Sequence, residues 1–586
     1  MIEQYCLDIL KTFLTYDDFK KMNIEKTKIY AIETEIKKLN NLSEIKEEMI
    51  LYVIQPNKEI LEDVIDSFYN VSNKFKGVLT NIIFIPGERY ELIEFMMAND
   101  LIHNFKIFDF NIDLLPIDND LLSLEKDNSF KEIYIDKNLT SISELANAFI
   151  KLESCYGKVK YRYYKGDNSK VFDNLVKEKE KENDIKSTEE TLGMIVLDRS
   201  VDFLTALTTN YTYEGLIDDF FNINYGSIKI KESFIKDSSN PKKNKINNEE
   251  KMVKYSLTSF FNPFYCQIRC MNFEQVEDFL KKIKEHYQNI ANSEDDKDNK
   301  FIEIGRYNTE IKWPLEVNET LLSHIKNNIG DSQYRQYIEN EQLLLSGEIP
   351  ENLHLYYDNY ICDKKDLIKI LKLLSIECIT QGGISNYNSI KRDILNIYGY
   401  QNIFLFRDLE NLGFLIDNNS YKKKDTLNFS KILDDLKLIN LDYQKDKFED
   451  CSYLMLGYCP ISLRLIEKGI EGKWNKIQDI IKKLPGETGF PPDESEMMRP
   501  TKELNTIFLV FIGGVTYTEI EGIRYLNRKF KEQYENNKDK NPTRIQLIIV
   551  TTCILNTKKL FKNLGKNFNN IYSMKQFYEQ NQKKKK

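Results

Sequence analysis

The stretch TIFLVFIGGVTYTEIEGIRYL, residues 506–526, decides the fold class of this chain. Its opening TIFLVFI is an apolar run rich in β-branched and aromatic residues, which is typical of a buried parallel strand. Gly513 and Gly514 then predict a tight turn, because glycine tolerates backbone angles that other residues avoid. Thr516 and Glu519 form the T-x-x-E pattern that caps the start of a helix. Strand, turn and helix in this order indicate part of an α/β domain with a parallel sheet.

Two further apolar runs, TLGMIVLD (191–198) and IQLIIVTTC (545–553), also have the length and composition of buried strands. Between the first and the other two, residues from about 255 to 445 follow the 3.6-residue apolar spacing of helices. We therefore predict that the three runs lie in one sheet, which is interrupted in sequence by a long and mostly helical insertion.

The N-terminal region predicts a separate, small α/β domain. YAIETEI (30–36), MILYVIQP (49–56) and NIIFIPG (81–87) have the character of short strands, and helical patterns such as KEILEDVIDSFYNV (58–71) separate them. Strands that alternate with helices form βαβ units, so we expect a second, mainly parallel sheet here.

Composition excludes several classes of protein. Of the 586 residues 41% are hydrophobic, which is enough for sizeable cores and argues against disorder. Lys and Arg total 83 against 91 Asp and Glu, and a net charge of −8 does not favour a nucleic-acid binder. The longest apolar run, 507–515, is too short to cross a membrane. The start of the chain lacks a basic segment and a cleavage site, so we expect no secretory signal and a soluble intracellular protein.

Motifs that mark enzymes are absent from the sequence. It has no G-x-G pair, no P-loop and no G-x-S-x-G, and its four histidines lie far apart. Nine cysteines without a C-x-x-C pair are expected to be reduced thiols, and Cys266 with Cys270 lacks a second ligand pair for zinc. We predict no catalytic residue, no cofactor and no metal. The alternative that stays open is a nucleotide-binding α/β enzyme.

Two polar features admit either a chemical or a structural role. Asp198 and Asp202 follow a strand and could bind Mg²⁺, but capping and pairing with Arg199 is the favoured interpretation. The turn at Gly513 and Gly514 precedes a helix whose start could hold a phosphate. No Lys, Ser or Thr stands at phosphate spacing, so a purely structural turn is favoured.

LDRSVDFLTALTTNYTYEGLIDD (197–219) resembles the most diagnostic segment of the SM (Sec/Munc-type) family of SNARE regulators. The matching residues are Leu197, Asp198, Arg199, Asp202, Thr205, Leu207, Thr212 and Tyr213, and Ala206 stands where the family usually has proline. The resemblance implies a structural role for seven residues. They are Asp198, Arg199, Asp202, Thr212, Tyr213, Gly513 and Gly514.

Further segments resemble the vacuolar protein sorting-associated protein 33 subgroup of that family. They keep the family's order from about residue 80 to 560 and lie at 117–135, 264–276, 397–415, 453–467 and 511–526. The resemblance implies the three-domain SM arch, with two α/β domains and a helical insertion in the second. The implied boundaries are 1–125 for domain 1, 126–225 and 456–586 with its basic tail for domain 2, and 226–455 for the helical domain 3.

By the same resemblance, the chain is not an enzyme but binds and templates SNARE helices for membrane fusion. The implied contact is a helical hairpin near 301–350 that faces endolysosomal SNAREs. Its candidate residues are Trp313, Leu315, Leu321, Leu322 and Ile325.

The subgroup resemblance also implies membership of the HOPS or CORVET tethering complex. The implied anchor is vacuolar protein sorting-associated protein 16, bound by the aromatic segment 395–460 with Tyr400, Tyr421 and Tyr453 as candidates. We expect no nucleic-acid partner. We expect a cytoplasmic protein that is held on late endosome, lysosome or vacuole membranes indirectly, through the complex.

Overall fold

The structure is a computed structural model. It describes Cys6, Leu10 and residues 49–54, 58–74, 79–85, 90–110, 112–182, 190–231, 252–292, 297–418, 429–440, 450–454, 456–491, 504–536 and 544–565. The chain divides into two compact units, Met1–Ile117 and Asp118–Lys586. The predicted domain boundaries at 125, 225 and 455 stay predictions.

The first unit contains a three-stranded parallel sheet in the order β1-β2-β3. Its elements are β1 (Met49–Ile54), α1 (Lys58–Lys74), β2 (Leu79–Phe84), α2 (Tyr90–Ala98) and β3 (Lys106–Asp109). The sheet side chains Tyr52, Ile82 and Phe84 are fully buried together with Leu61 and Val64 of α1. The predicted strands at 49–56 and 81–87 and their parallel pairing are thus confirmed, whereas the one at 30–36 lies outside the described residues.

The second unit is built around a seven-stranded sheet in the order β10-β6-β7-β11-β12-β5-β4. The strands are β4 (Leu115–Asp118), β5 (Leu121–Ser123), β6 (Lys158–Lys165), β7 (Glu190–Asp198), β10 (Thr488–Gly489), β11 (Leu504–Ile512) and β12 (Arg544–Thr551). A separate antiparallel ribbon is formed by β8 (Ser227–Lys231) and β9 (Met252–Ser256).

The centre of this sheet joins segments that are far apart in the chain. In β11, Val510 lies opposite Val196 of β7 on one side and opposite Val550 of β12 on the other, and all three strands are parallel. Residues 507–512 of β11 are at most 2% exposed, because a strand with neighbours on both edges and helices on both faces has no contact with water. The prediction that the three apolar runs share one sheet is confirmed.

Helices fill the rest of the second unit. Before and within the first half of the sheet lie α3 (Ser129–Tyr134), α4 (Thr140–Tyr156), α5 (Asp167–Glu182), α6 (Phe203–Leu207) and α7 (Tyr213–Phe221). The insertion contributes α8 (Pro263–Ile268), α9 (Phe273–Asn292), α10 (Lys297–Arg306), α11 (Lys312–Ile329), α12 (Ser332–Leu345), α13 (Leu353–Cys362), α14 (Leu367–Gln381), α15 (Tyr387–Tyr398), α16 (Ile403–Asn411) and α17 (Phe429–Leu436). Then follow α18 (Ile461–Ile470), α19 (Gln478–Ile481), α20 (Tyr517–Asn536) and α21 (Thr557–Asn563).

The turn between β11 and α20 forms as the sequence predicts. The Glu519 N–H donates to the Thr516 hydroxyl (3.3 Å), and the Thr516 N–H donates to the Glu519 carboxylate (3.0 Å). This reciprocal pair satisfies backbone donors at the start of the helix that would otherwise be buried without a partner. Gly513 and Gly514 have φ angles of 86° and 111°, which L-residues rarely adopt.

Candidate protein-binding surfaces

The segment with the family resemblance contains three buried charged side chains, Asp198, Arg199 and Asp202, each 2% exposed. The Arg199 guanidinium donates to both carboxylate oxygens of Glu519, at 2.7 and 2.8 Å, and twice to the Asp202 carbonyl. Burial alone would lower the pKa of Arg199, but Glu519 and Asp202 raise it above its usual value. The guanidinium therefore stays charged and joins the end of β7 to α20.

Asp202 supports this junction from the other side. Its carboxylate accepts hydrogen bonds from the N–H and hydroxyl of Thr205, at 3.0 and 2.7 Å, and from the Ser462 N–H at 3.1 Å. It thereby caps α6 and ties that helix to α18, while its own side chain lies 3.9 Å from Arg199. The predicted pairing of Arg199 with Asp202 is thus the weaker contact, and Glu519 is the main partner, which the sequence did not reveal.

The edge of the sheet where parallel α/β folds bind ligands is filled by a side chain of this chain. The Tyr134 hydroxyl donates to the Asp198 carboxylate and lies 3.1 Å from the Ile512 carbonyl, between the ends of β7 and β11. A Cβ atom on Gly513 would lie 2.5 Å from the Tyr134 ring. The start of α20 is already neutralised by Glu519. This geometry favours the structural interpretation of the glycine turn over a phosphate site.

Two further residues of the segment link α7 to the insertion. Thr212 caps α7 by accepting a hydrogen bond from the Gly215 N–H (3.3 Å). The buried Tyr213 hydroxyl donates to the side-chain oxygen of Asn318 on α11 (2.9 Å), and the Asn318 amide donates to the Tyr255 hydroxyl (2.9 Å). These contacts are of the kind that a structural role requires.

Two long helical segments of the insertion form an antiparallel hairpin. Glu277 of α9 pairs with Lys326 of α11 at 2.6 Å, and Lys284 of α9 pairs with Glu319 at 3.0 Å. Since the partner number falls as the first number rises, the helices run in opposite directions. In the described residues the hairpin is formed by 273–292 and 297–329, so it starts earlier in the chain than the predicted contact region 301–350, which overlaps its second arm and stays a prediction.

The second arm of the hairpin is one helix with a local irregularity. Tyr307–Ile311 forms a π-helical turn between α10 and α11. Pro314 follows it, and proline lacks the N–H that would bond to the carbonyl of Glu310 and also clashes with that carbonyl in a regular helix. The wider turn removes the conflict, which explains its position.

The structure separates the five predicted SNARE-contact residues into two groups. Leu315, Leu321, Leu322 and Ile325 are at most 5% exposed and pack inside the unit, so as surface contacts they were predicted wrongly. Trp313 is 44% exposed. The regular apolar spacing of α11 reflects the burial of these side chains against other parts of the chain itself. Spacing alone does not distinguish such burial from burial against a partner.

The hairpin does expose apolar side chains on its second arm. Besides Trp313, Ile302 is 63% exposed, and nothing lies within 4 Å of where a Cβ atom of Gly305 would stand. Ile302 was missed by the sequence analysis. The signal was the apolar group Phe301, Ile302 and Ile304 in the otherwise mostly polar segment 297–310, since a solvated helix face needs no such side chains.

The residues predicted to contact a partner subunit also differ in how far they are exposed. Tyr400 is 65% exposed and Ile403, one turn further on, is 46% exposed. Tyr453 is only 9% exposed and packs edge-on against Tyr525, with 6.1 Å between ring centres, so its prediction as a surface contact was wrong. Tyr421 lies outside the described residues. Tyr400 and Ile403 together form an apolar patch at the start of α16.

The ranges that the structure describes hold no group of three or more His, Cys, Asp or Glu placed to bind a metal. Among the helices described above, none is both long and apolar enough to span a bilayer.

Known proteins are similar to this chain in sequence over most of its length. The vacuolar protein-sorting-associated protein 33 homolog of Arabidopsis thaliana is 26% identical over 507 residues, which is 82% of this chain and 80% of that protein. Vacuolar protein sorting-associated protein 33A of Rattus norvegicus is 26% identical over 505 residues, 82% of each chain.

Solved structures of SM proteins share the fold at lower identity. The Unc18–syntaxin 1 complex from Monosiga brevicollis superposes with a TM-score of 0.58 at 13% identity, covering 96% of this chain and 94% of that one. The SM protein Vps45 in complex with the Qa SNARE Tlg2 gives 0.57 at 15% identity, covering 97% and 94%. The predicted SM fold class is thereby confirmed. The model of the Sec1 family matches residues 1–563, and the chain therefore belongs to the Sec1 family of SM proteins.

Proposed function

We propose that this chain is an SM-type protein that binds SNARE helices and promotes their assembly during membrane fusion, and that it is not an enzyme. The observation that carries the proposal is the hairpin of 273–292 and 297–329, an antiparallel helix pair that presents Trp313 and Ile302 to solvent. Family membership supports it, as do the solved structures that hold SM proteins together with syntaxin 1 and with Tlg2.

The physical basis is the cost of ordering a helix. A free SNARE motif is largely disordered, and fixing each residue costs roughly 1–2 kcal/mol of conformational entropy. A preformed helical surface offers apolar contacts along one side, so the incoming helix gains burial while it orders. Two SNARE helices held side by side also pack on each other, and we expect a pair to bind more tightly than either alone.

Calorimetry with purified endolysosomal SNAREs, singly and in pairs, tests the proposal. Ile302→Asp and Trp313→Ala should each weaken binding at least about tenfold, because both remove apolar contact at the surface of the helix. Leu355→Asp is the matched control, since Leu355 is 58% exposed on α13, outside the hairpin. Absence of binding by every SNARE and pair, or equal weakening by the control, would contradict the proposal.

The nucleotide-binding alternative is tested with the same preparation. Equilibrium dialysis with radiolabelled ATP and GTP should show no binding and no turnover, because Tyr134 and Glu519 occupy the positions that a nucleotide would need. Stoichiometric nucleotide binding would favour the alternative.

We further propose that Tyr400 and Ile403 anchor the chain to a tethering complex of the HOPS or CORVET type, through vacuolar protein sorting-associated protein 16. Support comes from the exposure of this apolar pair and from the relatives named vacuolar protein sorting-associated protein 33. Membrane association would then be indirect, at late endosomes, lysosomes or vacuoles, and no nucleic acid would be involved.

Co-purification with the other subunits tests this second surface. Ile403→Asp should release the chain from the complex while it stays folded, because an interface centre of this kind contains few dominant apolar contacts. Ile349→Asp is the matched control, since Ile349 is 57% exposed in the turn between α12 and α13. Unchanged recovery of the complex with Ile403→Asp would exclude this patch as the anchor.

A further inference from the structure

The second arm of the hairpin has an inner and an outer face. On the inner face, Tyr307 stacks on Tyr287 of α9 with 4.7 Å between ring centres, and Ile304 and Ile311 on the same side are half-buried. The outer face carries four exposed residues at the spacing i, i+3, i+4 and i+7, which are Ile302, Gly305, Arg306 and Thr309. Residues at this spacing surround one point of a helix surface, and here that point faces away from α9.

Nothing in the part of the chain that the structure describes requires a glycine at 305. Gly305 lies inside α10, its φ is not in the left-handed region, and no atom of the described residues lies within 4 Å of the position of a Cβ atom. Alanine would fit there and would favour the helix, since glycine is a poor helix former. What glycine adds is space, because a missing side chain lets another molecule approach the backbone closely.

The four outer residues surround a hole of the kind that receives a side chain from a neighbouring helix. In helix pairs of the coiled-coil type, residues i, i+3, i+4 and i+7 of one helix enclose a single knob residue of the other. Because Gly305 has no Cβ atom, this hole is deeper than one formed by larger residues. Ile302 provides an apolar wall, and the exposed Trp313 lies one turn beyond Thr309.

The polar groups around the hole already have partners. The Thr309 hydroxyl lies within hydrogen-bonding distance of the carbonyls of Gly305 (3.0 Å) and Arg306 (3.3 Å). The Arg306 guanidinium pairs with Glu310 at 3.3 Å, towards the next turn. The hydroxyl therefore keeps an acceptor when an apolar side chain covers it, and the usual cost of burying an unpaired polar group does not arise.

We propose that a SNARE helix packs most closely on the hairpin at this hole, by inserting one apolar side chain over Gly305. The inference rests on the function proposed above and adds to it the point of contact and the chemistry of the partner residue. The inserted residue is a leucine, isoleucine or methionine of the apolar stripe of the SNARE helix. The next apolar residue of that stripe, one turn along, packs on Trp313.

Substitutions of Gly305 separate a binding role from a structural one. Calorimetry uses the full chain and the SNARE, or SNARE pair, that binds it most tightly. Gly305→Leu fills the hole and should weaken binding at least about tenfold. Gly305→Ala fills it in part and should weaken binding about threefold, although it raises Tm because alanine favours the helix. Asn327→Leu is the matched control, since it adds the same side chain at an exposed position near the far end of the same arm, and it should leave binding unchanged.

Alanine substitutions along the apolar stripe of the SNARE then identify the inserted residue. One position should lose at least about fivefold in affinity for the unaltered chain but less than about twofold for Gly305→Leu, because both changes act on the same contact. The inference is overturned, and the proposed function stands, if Ile302→Asp and Trp313→Ala weaken binding but Gly305→Leu does not. Equal weakening by Asn327→Leu would also overturn the inference. If no SNARE binds the unaltered chain, the inference and the proposed function both fail.

Discussion

Replacement of Arg199 by methionine should destabilise the second unit by about 3–5 kcal/mol, the usual cost of removing one partner from a buried ion pair. The side chains of Arg199 and Glu519 are 1% and 0% exposed. The variant would leave the Glu519 carboxylate buried, with Ser462 and Thr516 as its remaining donors among the residues that the structure describes. The double variant Arg199→Met/Glu519→Gln should cost less than the two single variants together, with a coupling of about 2 kcal/mol or more, because no uncompensated charge remains.

The assay is equilibrium urea unfolding followed by tryptophan fluorescence. Both tryptophans lie in the second unit, and Trp474 is fully buried beside α18, so the signal reports on this unit. Arg306→Met is the matched control, because Arg306 pairs with Glu310 on the surface, with side chains 60% and 66% exposed. It should change stability by no more than about 0.5 kcal/mol. If Arg199→Met unfolded at the control's midpoint but no longer bound SNAREs, Arg199 would be functional and the structural reasoning refuted.

Two further predictions concern pH and backbone conformation. Burial raises the pKa of Glu377 to about 7 despite a hydrogen bond from Tyr357. Its pKa in the folded state lies above the unfolded value of about 4.5, so the free energy of unfolding should fall by roughly 3 kcal/mol between pH 4.5 and 7. Glu377→Gln should remove this pH dependence from urea unfolding midpoints measured from pH 5 to 8. A slope unchanged by the variant would contradict the assignment. Gly513→Ala should destabilise the fold by at least about 2 kcal/mol, because of the positive φ at this position and the contact of a Cβ atom with Tyr134. Gly305→Ala, where the added Cβ atom meets open space on a helix, should instead stabilise it by roughly 0.5–1 kcal/mol. Equal unfolding midpoints for the two variants would disprove this.

Predictions from local pattern succeeded where the physical cause is local. The cap formed by Thr516 and Glu519 involves residues three apart, and it forms as the T-x-x-E spacing predicts. The apolar runs that were long enough for buried strands form β7, β11 and β12. A strand that is buried on both faces is continuously apolar in sequence, so it is easy to recognise. The sheet of the second unit, the helical insertion and their order along the chain were all predicted from such patterns.

Contacts between residues far apart in the sequence could not be predicted from local patterns. Arg199 has its main partner 320 residues away on α20, and Tyr134 reaches the end of β11 at Ile512. No spacing rule connects residues so far apart, because they meet only once the sheet has assembled.

The sequence alone predicted the strands β1, β2, β7, β11 and β12 and the assembly of one sheet from two distant parts, since burial and capping leave periodic marks along the chain, but it did not predict β6 or the ribbon of β8 and β9. It did not determine what each apolar face is buried against. Leu321 and Ile325 have the spacing of a partner-binding stripe, yet they lie in the core, while Ile302 and Ile403 stand exposed without any periodic signal. The hydrophobic effect is non-directional and depends on the area removed from water, so only the tertiary structure decides whether the chain itself or a partner removes it.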